Sequence, residues 1–401
     1  MGAEPDVPVA IAIPEAVVKI LQRLEDAGYE TWCVGGAIRD ALANDGHQDV
    51  DLATAAPPEV VRGMFRRTVA VGIEHGTVGV LDDGGMLHEV TTFRRDVRTD
   101  GRHAVVEFGV SLDDDLARRD FTINAIAYHP VRHEWRDPFL GRADLRAGII
   151  RAVGDPVARF REDRLRILRA LRFAARFGFV IDPATWNAAK DQAGDTGHLS
   201  AERVRDEWVK GIKSARSLDA LVQRWWDSGV TSVWLPECRP PDPGRTAASL
   251  PIAAEDRDPV RATAIYCERS GAVWRRLKGS NAEIQRADAI DRGPARPSSA
   301  LPADVRRWMA RVGVAIADLR ALAVWRGDDV DGWPHVVDQV RALGEATSRS
   351  ELAIAGDDLI AAGMSPGPAI GQTLERLLDA VLEDPSLNTR DALLAMAARS
   401  A

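Results

Sequence analysis

Apolar residues at Val17, Val18, Ile20, Leu21 and Leu24 recur with a helical period across residues 15–27 and stop at Gly28, which predicts an amphipathic helix. The pattern then shortens. Strands are predicted over residues 29–34, 50–53, 69–71, 77–81 and 87–93, separated by Gly72, Gly76 and the turn Asp82-Asp83-Gly84-Gly85. Helices are expected between them at residues 37–43 and 59–65, the second opened by Thr54 and Pro57. Strands and helices mixed in this way define a first domain of roughly 140 residues, a usual domain size.

From about Asp144 the period is helical almost without interruption. Pro- and Gly-rich breaks at residues 236–251 and 293–302 mark loops or module boundaries. A late helix is predicted to start at Ser365-Pro366, to bury Ile370, Leu374, Leu377, Leu378 and Val381, and to end at Pro385. No heptad seam and no internal repeat is visible. The fold class is therefore α+β, a mixed sheet with helices followed by an all-α remainder. Tryptophans such as Trp208, Trp225, Trp226 and Trp234 fall in the helical part, where packing between helices is the expected role.

At 401 residues and 45% hydrophobic, the chain is long enough for two or more domains. The three cysteines, Cys33, Cys238 and Cys267, are far apart and odd in number, so neither a disulfide framework nor a zinc ribbon is expected, and a reducing compartment is the simple reading. The acidic start, Met1 to Asp6, lacks the order of a signal peptide, and no apolar run reaches a membrane span; a soluble, cytoplasmic protein without membrane contact is expected. A net charge of -8 argues against nucleic acid only on average. Residues 151–176 hold eight arginines against three acids, a local +5.

Candidate chemistry begins at Val34-Gly35-Gly36-Ala37-Ile38-Arg39-Asp40. Two glycines let a phosphate approach the backbone, a helix start offers free N–H groups, and Arg39 one turn in supplies a charged fork. Alone, a plain strand-to-helix turn is the better reading. Asp49 and Asp51 follow, two apart and hence on one face of a strand, where both carboxylates reach one divalent cation. Two hard-oxygen ligands beside an anion cradle are the layout of two-metal phosphoryl transfer, with one ion activating a hydroxyl and the other steadying the leaving pyrophosphate. Glu89 is a candidate third carboxylate on a neighbouring strand, a position equally suited to a surface acid. In Arg118-Arg119-Asp120-Phe121-Thr122-Ile123-Asn124, Arg119 suits a phosphate, while Asp120 and Asn124, spaced as on one helix face, suit ribose hydroxyls. Asp100, Gly101 and Arg102 read as a mobile polar loop able to close on substrate.

The segment Glu162-Asp163-Arg164-Leu165-Arg166 continues to Arg169 and Arg172. Read as one helix, Arg166, Arg169 and Arg172 share a face, Asp163 lies at its edge, and Ile167, Ala170, Leu171 and Ala174 face a core. An aspartate and an arginine side by side match the amino donor and ring acceptor of cytosine or adenine, whereas the carbonyls of uracil and guanine clash with the carboxylate. A solvated basic face with an Asp163–Arg166 ion pair is the alternative.

These ordered motifs, with Gly154-Asp155-Pro156 and, more weakly, Ala201-Glu202-Arg203-Val204 and Pro366-Gly367-Pro368-Ala369-Ile370-Gly371, resemble the class II nucleotidyltransferases that build the 3′ CCA end of tRNA, and the related bacterial poly(A) polymerases. The resemblance implies a polymerase-β-like nucleotidyltransferase head (1–143), a helical neck with a nucleotide-templating helix (144–215), and a helical body and tail that bind tRNA (216–401). It further implies that Asp49 and Asp51 hold two Mg2+ ions, that Gly35, Gly36, Arg39 and Arg119 bind the triphosphate, and that Asp163 and Arg166 select CTP and then ATP. Arg169 and Arg172 match the family's further arginines, and Asp100-Gly101-Arg102 its flexible loop for adding A. Residues 239–304 match nothing, and the dipeptide His-Asp of phosphohydrolases is absent. An A-adding enzyme, a poly(A) polymerase and a non-catalytic RNA-binding protein are the alternatives.

Overall fold

In the computed structural model of the chain, which describes residues 10–43, 49–72, 76–99, 104–241, 257–326 and 330–399, the first helical period becomes α1 (Glu15–Asp26), with Val17, Ile20, Leu21 and Leu24 buried. Contacts divide the chain into two units, Met1–Pro236 and Glu237–Ala401.

The first unit is built on one seven-stranded sheet. After α1 come β1 (Thr31–Val34), α2 (Gly36–Leu42), β2 (Asp51–Thr54), α3 (Pro58–Met64), β3 (Thr68–Gly72), β4 (Thr77–Leu81) and β5 (Leu87–Thr92). A separate hairpin, β6 (Arg94–Thr99) with β7 (Ala104–Phe108), precedes α4 (Leu112–Ala117), then β8 (Ala127–His129), β9 (Glu134–Arg136) and α5 (Gly141–Ala147). The sheet order is β3-β4-β5-β2-β1-β8-β9, with β2 and β5 parallel. Strand alternation sorts the core into two faces. Cys33, Leu52, Val78, Val80 and Val90 pack with α1 and α3 on one face; Trp32, Val34 and Ala53 pack with Leu112 and Leu116 of α4 on the other. Asp51 pairs with Val34 in the β1–β2 ladder and so shares the α4 face.

β1 to β5 match the expected runs closely, whereas β6 to β9 were not expected from the sequence. Thr54 does not cap α3, however: Pro57 stands at that N-cap, and Thr54 Oγ1 shares a 2.8 Å hydrogen bond with Thr31 Oγ1 and accepts from the Ala56 N–H. The expected seam at 143/144 falls inside α5.

Beyond α5 lie β10 (Ile149–Ile150), α6 (Pro156–Glu162), α7 (Leu165–Phe177), β11 (Val180–Ile181), α8 (Pro183–Asp191), α9 (Ala201–Ser214), α10 (Leu218–Ser228) and α11 (Val230–Trp234). Helical periodicity hides β10 and β11, two residues each, which pair in parallel. Trp208 and Trp225 meet edge to face at 4.9 Å and are buried with Trp234, as core packing requires, while Trp226 is exposed.

The second unit is helical from α12 (Pro259–Tyr266) through α13 (Ser270–Arg276), α14 (Asn281–Arg292), α15 (Pro302–Val312), α16 (Ile316–Arg326), α17 (Trp333–Ala342), α18 (Gly356–Ala361) and α19 (Pro368–Glu383) to α20 (Arg390–Ala398). The late helix therefore starts at Pro368, two residues after the expected Pro366. Arg306 is buried, donating to the Leu382 and Glu383 carbonyls and pairing with Glu345. Contrary to the cysteine count, Cys238 and Cys267 are disulfide-bonded across an antiparallel bridge, and Cys33 is the buried free thiol. Neighbours in space, they are 29 residues apart in sequence.

Candidate active site

β1 ends where its last residue faces Asp51, and the chain must turn sharply there to enter α2. Gly35 makes that turn at φ +84°, and a Cβ placed on it would lie 3.0 Å from Asp51 Oδ2 and 3.7 Å from Arg119 Nη1. Backbone, carboxylate and guanidinium thus converge on one point, and only glycine fits it. Asp49, two residues before Asp51, is exposed. The β2–β5 ladder aligns Leu52 with Val90, both in the α1 face of the core, so Asp51 and Glu89, one residue earlier on each strand, share the opposite face about 5 Å apart.

Arg119 is aimed by a buried acid. Its Nη2 donates to Asp115 Oδ2 at 3.1 Å and its Nη1 to the Asn124 carbonyl at 3.3 Å, and its buried Nε has no hydrogen-bond partner. Burial pushes the Asp115 pKa up, but Arg118 and Arg119 outweigh this and hold it below the ordinary value.

Asp120 and Asn124 come together differently from the expected helix face. Asp120 precedes and Asn124 ends a 3-10 turn, Thr122–Asn124; Asn124 Nδ2 donates to Asp120 Oδ1 at 2.8 Å, and Arg169 Nε donates to Asp120 Oδ2 at 2.7 Å. Burial alone would raise the Asp120 pKa; Arg169 and the hydrogen bonds from Asn124 and the Phe121 N–H bring it down to about 2. Arg39, expected at the phosphate, is only 4% exposed, with Nε on Asp40 and Nη1 on Asn124 Oδ1.

The segment containing Asp163 is not one helix. α6 ends at Glu162, Asp163 is extended at φ -147°, and α7 begins at Leu165. Asp163 Oδ1 accepts from the Leu165 N–H at 3.0 Å, and Oδ2 accepts from Arg203 Nη2 of α9 at 2.8 Å. Arg166 instead donates to Glu162, to the Arg159 carbonyl and to the Arg118 carbonyl. The expected Asp163–Arg166 couple is thus an Asp163–Arg203 couple, with Arg203 supplied from 40 residues downstream. Arg172 is buried on Glu207 of α9 at 2.5 Å rather than facing a ligand, and Ile167, Ala170, Leu171 and Ala174 are buried as expected. Arg203 stands in the Ala201-Glu202-Arg203-Val204 motif, but Arg205 two residues on is equally basic, and only the fold distinguishes them. Asp100, Gly101 and Arg102 lie outside the described residues.

Among the described residues no three acidic, histidine or cysteine side chains stand close enough to hold a metal unaided. The Asp49 and Asp51 pair nonetheless fits a small, hard divalent cation, which binds to one or two carboxylates and takes its remaining ligands from substrate phosphates and water. Fold and site together define a nucleotidyltransferase of a generally metal-dependent class.

Comparison with known proteins narrows this class. The Poly A polymerase head domain matches residues 31–151, the probable RNA and SrmB-binding site of polymerase A matches 178–240, and the putative tRNA nucleotidyltransferase domain 2 matches 319–397. The CCA-adding enzyme of Leuconostoc mesenteroides is 34% identical over 396 residues, covering 93% of each chain; that of Lactobacillus helveticus is 35% identical over 95% of this chain and 96% of its own. The Bacillus stearothermophilus CCA-adding enzyme, solved with CTP, superposes with a TM-score of 0.75 at 30% identity over 96% of this chain and 97% of its own. The Thermotoga maritima CCA-adding enzyme, complexed with tRNA, shares the fold at a TM-score of 0.62 and 20% identity, covering 96% of this chain and 94% of its own. The chain belongs to the CCA-adding enzyme family.

Proposed function

We propose that this chain adds CMP, CMP and AMP in turn to the 3′ end of tRNA, taking CTP and ATP and releasing pyrophosphate. The observation that carries the chemistry is the meeting of Gly35, Asp51 and Arg119, where a backbone without Cβ leaves room for phosphate between a carboxylate and a guanidinium. Two Mg2+ ions on Asp49 and Asp51, with Glu89 alongside, would lower the pKa of the attacking hydroxyl and neutralise the leaving pyrophosphate. Arg119, with its fork set by Asp115, holds the triphosphate against Gly35 and Gly36. The RNA 3′ oxygen then bonds to the α-phosphorus as the bridge to the β-phosphate breaks, and the hydroxyl proton is lost to solvent. Asp120 and Asn124 line the ribose side.

Asp163 selects the base. Its carboxylate, fixed by the Leu165 amide and by Arg203, accepts from the exocyclic amine of cytosine or adenine and repels the carbonyl of uracil or guanine. Arg166 completes the edge, and Arg169 and Arg172 act behind it through Asp120 and Glu207. The second unit and the stretch matching an RNA-binding module hold tRNA by backbone and shape. We place the enzyme in the cytoplasm, where immature tRNA is found.

The test is extension of tRNA lacking its last three nucleotides, with CTP, ATP, UTP and GTP singly and mixed. CCA addition in the mixture, together with loss of CTP-over-UTP preference in Asp163→Ala, is the expected result. Long A tails on generic RNA with ATP alone indicate a poly(A) polymerase, addition of A only to CC-ended tRNA an A-adding enzyme, and no incorporation a binding protein.

A further inference from the structure

α7 was read as a basic face for nucleotide or RNA, but most of its arginines point into the protein. Arg169 donates to Asp120, Asp120 accepts from Asn124, and Asn124 Oδ1 accepts from Arg39 Nη1 at 2.5 Å. Arg39 Nε donates to Asp40 Oδ1 at 2.7 Å, and Asp40 Oδ2 accepts from Arg176 Nη2 at 3.1 Å. Arg176 is again on α7, seven residues and two turns after Arg169, so these contacts close a ring. Inside it lie Phe173 and Phe177: the Arg39 guanidinium is 4.8 Å and 5.1 Å from their ring centres, that of Arg169 is 5.3 Å from Phe173, and that of Arg176 is 4.8 Å from Phe177. Asp40 is fully buried.

This ring spans the two halves of the site. Arg39 and Asp40 belong to the helix that starts at Gly36, beside the Gly35, Asp51 and Arg119 cradle; Arg169 and Arg176 belong to the helix whose N-terminal end carries Asp163. A nucleotide bound by its triphosphate at one end and its base at the other senses any change in the distance between them. Ion pairs and hydrogen bonds that tie α2 to α7, directly at buried Asp40 and through Asn124 and buried Asp120, allow little change, because breaking a pair on either aspartate leaves an uncompensated charge in the interior.

We propose that Arg176 and Asp40, neither of which borders the nucleotide, are positioning residues for base selection, fixing Asp163 relative to the phosphate cradle. The proposal rests on the reading that Asp163 selects the base. The experiment measures kcat and KM for CTP and UTP on truncated tRNA in Asp163→Ala, Arg176→Met, Arg176→Lys and Asp40→Asn, with thermal unfolding of each. Arg176→Met is expected to lower the CTP-to-UTP ratio of kcat/KM by about tenfold or more, chiefly by raising UTP use relative to CTP, with Arg176→Lys restoring it to within about threefold of wild type. Asp40→Asn, nearly isosteric, should fall in the same direction, and it decides the matter should Arg176→Met not fold. An unchanged ratio in a folded Arg176→Met or Asp40→Asn, with CTP and UTP rates reduced equally, overturns the proposal and leaves the ring as structural support. If Asp163→Ala itself keeps the preference, the base-reading role fails instead, so the two failures are distinguishable.

Discussion

Replacing Gly35 by alanine tests whether the cradle has the shape assigned to it. Gly35 lies at φ +84°, ψ -150°, a region closed to residues with a Cβ except at about 1–3 kcal/mol. The new methyl carbon would also sit 3.0 Å from Asp51 Oδ2, tighter than almost all real contacts, so the carboxylate must give way by a few tenths of an ångström. Backbone strain alone, taken as about 2 kcal/mol, lowers the melting temperature of a unit this size by roughly 4–8 °C. Displacement of Asp51 acts on catalysis separately: since about 1 Å of misplacement can cost about 10²-fold, kcat should fall between about tenfold and 10²-fold. Circular dichroism melts and single-nucleotide CMP incorporation read the two effects. Gly63→Ala, on the exposed side of α3, is the control, because φ there is not positive and its Cβ would meet nothing within 4 Å. A Gly35→Ala enzyme that melts like wild type and turns over within about threefold of it would show that nothing binds against this turn.

Asp51→Asn, which removes a metal-binding charge without changing shape, should abolish CMP incorporation while tRNA affinity, measured by filter binding, stays within about twofold. Arg203→Met frees Asp163 Oδ2 and should raise misincorporation from UTP on truncated tRNA by about tenfold, with CTP incorporation less affected. Asp120 is held at about 2 against an ordinary 3.8, so its contribution is fully present above about pH 5 and is lost as pH falls toward 2; Asp120→Asn should remove about 1 kcal/mol of the stability difference between pH 7 and pH 3, read from urea melts at the two values. Arg306→Met leaves the half-buried Glu345 without its partner and two carbonyls without donors, and should destabilise the second unit by about 2–3 kcal/mol in denaturant titration.

Local chemistry was readable where the spacing of side chains along one element decides their geometry. Asp51 was legible as a strand residue beside the glycine turn, although the strand begins there and Asp49 lies before it, and Gly35 had to be glycine because a strand enters a helix there within one residue. Five of the seven strands of the sheet were legible from their short apolar runs, whereas β8 and β9, three residues each, and the β6–β7 hairpin were not. Reading failed where a break was hidden in a continuous pattern: residues 156–177 carry helical periodicity throughout, yet Asp163 is extended between two helices, and with that break the geometry of the Asp163–Arg166 pair was lost. β10 and β11 were missed because two residues are too few to show a period.

Residue types and their order therefore determined the kind of chemistry: hard carboxylates next to a glycine turn, an arginine for phosphate, an acid to read a base. Tertiary structure decided which charge meets which. Many of the arginines in this chain look interchangeable in sequence, but an ionised side chain buried in the interior must find a counter-charge, and only the folded positions of α2, α7 and α9 determine that Arg39 and Arg176 meet Asp40, Arg169 meets Asp120, and Arg203 rather than Arg166 meets Asp163.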